Sequence, residues 1–192
     1  EVDNNGYVYL GSSNGDVMKL DTSDQSILWT NSEHSGTVRE IFYDGSGNIF
    51  TGSMDGSVKK IDSDGNTVWT FSSPSAVRKI DLDDANDRLA ISDSSGGQAF
   101  LVDVTSKNDG NDDATATIWT KSLSDDGRGI GIINNEVYVS DYSSYFYRYN
   151  YSGDELTNRK FAYSLRDFVE YNGKTITCWY GTMVGFLNEN YV

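Results

Sequence analysis

Four of the seven arginines in this 192-residue chain recur at one place in an internal repeat. They stand in Val38-Arg39-Glu40-Ile41, Val77-Arg78-Lys79-Ile80, Gly127-Arg128-Gly129-Ile130 and Leu165-Arg166-Asp167-Phe168. Guanidinium groups gathered at one point bind carboxylates and other oxyanions through forked hydrogen bonds, so Arg39, Arg78, Arg128 and Arg166 are candidates for an anion or partner site. The other reading pairs each arginine with a repeat aspartate such as Asp55, Asp93 or Asp141, as a staple between repeats. A second candidate is the aromatic run from Asp141 to Tyr151, where Tyr142, Tyr145, Tyr147 and Tyr151 accompany Arg148. Such residues give large contact area at low entropic cost, which suits a protein partner or a sugar ring. They would equally fill the interior of a strand-rich fold.

Candidates for catalysis are few. The one histidine, His34, sits in a loop-like Ser-Glu-His-Ser-Gly context, and the one cysteine, Cys178, reads as a packed thiol. No Ser, His and Asp set has recognisable spacing, and one cysteine with one histidine makes neither a disulfide nor a zinc site. The insertion Ser106–Ala114 is rich in Asp and Asn but does not follow the calcium-loop pattern, and reads as a solvated loop. Gly127-Arg128-Gly129-Ile130-Gly131 lacks the following helix of a phosphate loop. Neither a metal nor a cofactor is expected. A carboxylate pair for glycoside hydrolysis stays open, because the separation that decides it is spatial.

The elements that must position these residues repeat as well. Leu28-Trp29-Thr30, Val68-Trp69-Thr70 and Ile118-Trp119-Thr120 place Trp at spacings of 40 and 50. About ten residues before the first two Trp, and seventeen before the third, come Leu20-Asp21, Ile61-Asp62 and Val102-Asp103, with Tyr149-Asn150 and Leu187-Asn188 as weaker copies. Before these lie β-type segments ending in a small residue: Gly11, Gly52, Ser92, Ser140 and Cys178. Asn-Gly and Asp-Gly pairs between them suit tight turns joining antiparallel strands. A unit of about 40 residues with four short strands predicts an all-β chain folded as a β-propeller. Trp29, Trp69 and Trp119, at equivalent positions, read as structural residues of that repeat.

The pattern Val-Tyr-Leu-Gly-Ser, Asn-Gly-Asp-Val-Met-Lys-Leu-Asp, Ile-Leu-Trp-Thr resembles the PQQ-type repeat of quinoprotein-like propellers, in degenerate copies along the chain. That resemblance implies the fold. Quinoprotein dehydrogenases have eight blades and bind PQQ with calcium, often beside a disulfide of adjacent cysteines; this chain has one cysteine and fewer blades. Repeats at roughly 1–36, 37–76, 77–126, 127–164 and 165–192 predict one domain of about five blades, eighteen strands in all. The alternative is an excerpt of a larger propeller.

A formal charge of −14 opposes binding to nucleic acid or anionic lipid. Asp supplies 22 of the 29 acids and Lys only 8 residues, a balance resembling proteins adapted to molar salt. No apolar run approaches a membrane span. The reading is a non-enzymatic interaction module with a protein partner, located outside the cell, on its surface or on a virion of a halophilic system. The alternatives are a fragment of a quinoprotein-like or glycoside-processing enzyme, or a lectin-like sugar binder.

Overall fold

A computed structural model describes residues 1–172, 174–179 and 184–187. Asn188, in the last weak repeat copy, lies outside them. Five antiparallel sheets follow one another along the chain. The first holds β1 (Tyr7–Gly11), β2 (Val17–Asp21) and β3 (Ile27–Asn31). The second holds β4 (Val38–Tyr43), β5 (Ile49–Ser53), β6 (Ser57–Ile61) and β7 (Thr67–Ser72). The third holds β8 (Val77–Asp83), β9 (Arg88–Asp93), β10 (Gln98–Asp103) and β11 (Thr117–Ser122). The fourth holds β12 (Gly127–Ile133), β13 (Glu136–Asp141), β14 (Tyr145–Asn150) and β15 (Glu155–Lys160), and the fifth β16 (Leu165–Tyr171), β17 (Lys174–Trp179) and β18 (Val184–Leu187). Strands within each sheet pair in chain order, and β4, β8, β12 and β16 pack on one another from sheet to sheet. This is a β-propeller of about five blades, with those strands nearest the axis.

The small residue of each repeat marks where blades meet. A Cβ on Gly11 would come within 2.6 Å of Val38 Cγ1, and one on Gly52 within 3.0 Å of Val77 Cγ1. Ser140 Oγ accepts from the Gly129 amide and donates to the Leu165 carbonyl at 2.8 Å, tying the fourth blade to the fifth. The next blade's innermost strand crosses over this position, so bulk is excluded there.

The repeat tryptophans do the same work at the rim. Trp29 Nε1 donates to the Ser63 carbonyl at 2.9 Å, and its indole lies under Gly65. Trp69 Nε1 donates to Asn108 Oδ1 at 3.0 Å, and Trp119 packs against Gly153. Each therefore leans on the following blade, Trp29 and Trp119 on a turn and Trp69 on its insertion. The insertion is not a solvated loop: it folds into α1 (Val104–Asn108) and α2 (Asp113–Ala116), capped by Asp103 and Asp112. Its Asn108 holds Trp69 and Lys60, and Asp113 accepts from the Ser72 amide, so it clamps the second blade.

Candidate functional site

All four repeat arginines sit on β-bulges. The register runs Val38↔Ser53 then Glu40↔Gly52, Val77↔Asp93 then Lys79↔Ser92, Gly127↔Asp141 then Gly129↔Ser140, and Leu165↔Trp179 then Asp167↔Cys178. Arg39, Arg78, Arg128 and Arg166 are the extra residues that the strand register skips, re-aimed by the local kink. Together with Glu40, Lys79, Asp167 and Cys178 they line one cavity of about 330 Å3 at the channel mouth. Burial lowers the Arg78 guanidinium below its usual range, and repulsion from Arg39, Arg128 and Arg166 lowers it further. Like charges converging on a recess of a strongly acidic protein make a local anion-attracting field.

The aspartates weighed as staples each accept from other groups. Asp55 accepts from His34, the Ser35 amide and Ser57; Asp93 accepts from the Gln98 amide; Asp141 accepts from the Tyr145 amide and Tyr147 Oη. His34 belongs to the loop before β4 but is buried, with Nε2 2.8 Å from Thr51 Oγ1 and Nδ1 3.1 Å from Asp55 Oδ2. Burial outweighs Asp55 and holds the imidazole below its usual pKa. Sequence reasoning missed this network because a single histidine offers no repeat to compare.

An ion bridge lines the same cavity as the arginines. Lys79 Nζ is 2.9 Å from Asp167 Oδ2 and 3.6 Å from Glu40 Oε1, linking the second, third and fifth blades. Burial would depress the ammonium, but Asp167 and Glu40 outweigh it and raise its pKa. Asp81 Oδ2 accepts from the Ile132 amide at 2.6 Å, yet burial pushes its carboxyl up to about 6. A carboxyl raised in the folded state contributes stability that is complete below its unfolded pKa and lost as pH rises through about 6. Asp81→Asn, which keeps an acceptor for Ile132, therefore flattens the stability profile between about pH 4 and 6 and gains roughly 2 kcal/mol at pH 7. Thermal melts across this range check it; parallel profiles for the two proteins would contradict it.

The rim of the mouth is made by residues that follow each second strand. Met54 accepts from Arg39 through Sδ at 3.1 Å, Ser94 lines a hollow with Arg78, and Tyr142 lies under Arg128, whose guanidinium carbon is 4.0 Å from the ring centre. Tyr142 and Tyr163 are about three-fifths exposed and flank Arg128 on one surface. The other members of the aromatic run make contacts within the fold. Tyr147 is buried against Tyr145 and Tyr149 and bonded to Asp141; Arg148 pairs with Glu136; Tyr151 donates to Asp83 across the third and fourth blades. Tyr145 is half-buried beside Tyr147, under the Lys160 ammonium. Trp29, Trp69 and Trp119 serve as seam residues, so the three equivalent sugar-stacking pockets of a lectin are not formed.

No helix among the described residues is long and apolar enough to cross a membrane, and among them no group of three or more His, Cys, Asp or Glu residues is placed to hold a metal. A family described as outer membrane protein assembly factor BamB matches residues 1–173, in line with the PQQ-type repeat. No curated protein sequence matches the chain. Among solved structures it is similar to a chain of the mitotic checkpoint complex, with TM-score 0.79 and 14% identity over 92% of this chain and 55% of that one. It is also similar to Saccharomyces cerevisiae Sqt1, with TM-score 0.76 and 16% identity over 92% of this chain and 53% of the other. At these identities the likeness is one of fold, and the chain spans a little over half the length of each structure.

Proposed function

The chain belongs to the family described as outer membrane protein assembly factor BamB, and from that premise we propose that it is a non-enzymatic interaction propeller that docks an acidic segment of a protein partner at its arginine-lined channel mouth. The observation that carries this reading is the convergence of four bulge-borne arginines on one cavity in a chain of net charge −14. Guanidinium forks recognise carboxylates with fixed geometry, and Met54, Tyr142 and Tyr163 supply apolar contact around them. Family membership and a likeness to a chain from a complex support an assembly role. The channel carboxylates Glu40 and Asp167 are held by Lys79, an arrangement suited to bridging blades.

Equilibrium titration with a fluorescent oligoglutamate peptide tests the proposal. Saturable binding that weakens with added salt, and no comparable binding of an oligolysine peptide, is the expected result. Equal or absent binding of the two would overturn it.

The setting we propose is a saline exterior, as a surface or virion component of a halophilic system. The excess of aspartate over lysine supports it. Self-repulsion of such a surface is relieved by salt. The melting temperature should rise by roughly 10 °C between low and molar KCl, equivalent to about 3 kcal/mol for a domain of this size. A melting temperature indifferent to KCl would contradict this setting. Direct forked contacts in a recess persist at salt concentrations that abolish long-range steering, so a binding mouth and a salty medium are compatible.

A further inference from the structure

Arg128 belongs to more than the mouth. With Arg39 and Arg78 it lines the cavity of about 330 Å3, and with Tyr142, Ser144 and Tyr163 it lines a second hollow of about 340 Å3. A smaller hollow of about 100 Å3 shares Arg78 with the first and Tyr142 with the second, and Asp126 is part of its lining. The arginine recess therefore continues as a groove toward the two tyrosines.

The far end of that groove is held open by backbone contacts. The Phe161 amide donates to the Ser144 carbonyl at 2.8 Å and Ser164 Oγ donates to the Asp141 carbonyl at 2.7 Å, which ties the turn after β13 to the segment entering β16. The Tyr142 amide donates to the Asp126 carbonyl at 2.8 Å, which fixes the same turn to the residue before β12. A side chain entering between Tyr142 and Tyr163 meets walls already in place, so little ordering is left to oppose it. Both rings are about three-fifths exposed, while Tyr147 and Tyr149 of the fourth blade are buried. The Arg128 guanidinium carbon lies 4.0 Å from the Tyr142 ring centre. Exposed rings beside a guanidinium favour a further ring, because aromatic pairs gain from offset or edge contact and a guanidinium is attracted to a ring face. Asp126 opposes a carboxylate at this end of the groove.

Resting on the reading of the mouth as a carboxylate site, we infer that the partner's segment carries an aromatic side chain two residues from an acidic one. The carboxylate enters the mouth and the ring fills the hollow between Tyr142 and Tyr163. In an extended segment, residues two apart face the same way at a separation of about 6–7 Å, whereas neighbours face opposite ways. The residue between them points its side chain away from the groove. An unbroken acidic run is the poorer ligand, because it leaves the hollow empty of a ring and sets a carboxylate near Asp126.

Three peptides with the same fluorophore at the N-terminus test this: Glu-Gly-Glu-Gly-Phe, Glu-Gly-Glu-Gly-Ala and Glu-Gly-Glu-Phe-Gly. The first should bind about tenfold more tightly than the second, which lacks the ring, and than the third, whose ring faces away from both carboxylates. In Tyr163→Ala, a change at an exposed position, the first two should bind within twofold of each other. If the three peptides bind the parent alike, the aromatic pocket is overturned while the mouth stands. If neither they nor oligoglutamate bind, the mouth itself falls and the pocket with it. Full preference for the first peptide in Tyr163→Ala would also overturn the assignment, since the ring would then sit elsewhere.

Discussion

Reversing two charges at the mouth, with Arg39→Glu and Arg78→Glu together, lowers affinity for the oligoglutamate peptide at least about 100-fold while leaving the melting temperature within a few degrees of the parent. Each lost charge-assisted bond costs about 1.5–3 kcal/mol, and two exceed the 2.7 kcal/mol that corresponds to 100-fold. The new carboxylates add repulsion to that loss. The fold should tolerate the change, because Arg39 is exposed and Arg78 half-buried, and Arg78 is already repelled by Arg39, Arg128 and Arg166. Arg128 is a poorer choice, being buried with its guanidinium against the Tyr142 ring. Anisotropy titration and a thermal melt of the double variant check both halves. Binding within threefold of the parent would mean that the peptide docks elsewhere.

The largest stability effect should come from Trp69→Ala. Trp69 is buried, meets Phe50 edge to face at 5.6 Å, and bonds through Nε1 to Asn108 on the clamp of the third blade. Removing a large buried aromatic costs about 3–5 kcal/mol, a large part of the 5–15 kcal/mol that holds a domain folded. The expected fall in melting temperature is roughly 10 °C or more. Trp69→Phe, which keeps most of the packing but removes the indole donor and leaves Asn108 with Lys60, should lose about 1–2 kcal/mol. Denaturant titration of both variants separates the two contributions. An alanine variant within 1 kcal/mol of the parent would show that the blade seam does not depend on this residue.

What the chain reveals before folding depends on whether a feature repeats. The blades were legible because Trp29, Trp69 and Trp119, the small residues and the turn pairs recur, and the arginines because they share one place in four repeats. The bulge that re-aims them was not legible, since it is a property of pairing register between two strands. Glu40, Lys79 and Asp167 follow the arginines directly but differ in type from blade to blade, so nothing in the chain marked them as one cluster. Which of its two readings the aromatic run follows was not legible, because it depends on the sheet that β14 joins, where alternation sends Tyr145, Tyr147 and Tyr149 to one face and their rings stack inside the blade junction. Only Tyr142, before that alternation begins, stays on the rim.

Titration of the isotope-labelled protein with the oligoglutamate peptide, followed through arginine Nε–H resonances, tests the mouth most directly. Arg39, Arg78, Arg128 and Arg166 should shift together along one saturable curve, while Arg88, paired with Asp103, and Arg148, paired with Glu136, stay still. Shifts confined to Arg88 and Arg148, or spread over all seven arginines without saturation, would contradict a single arginine-lined docking site.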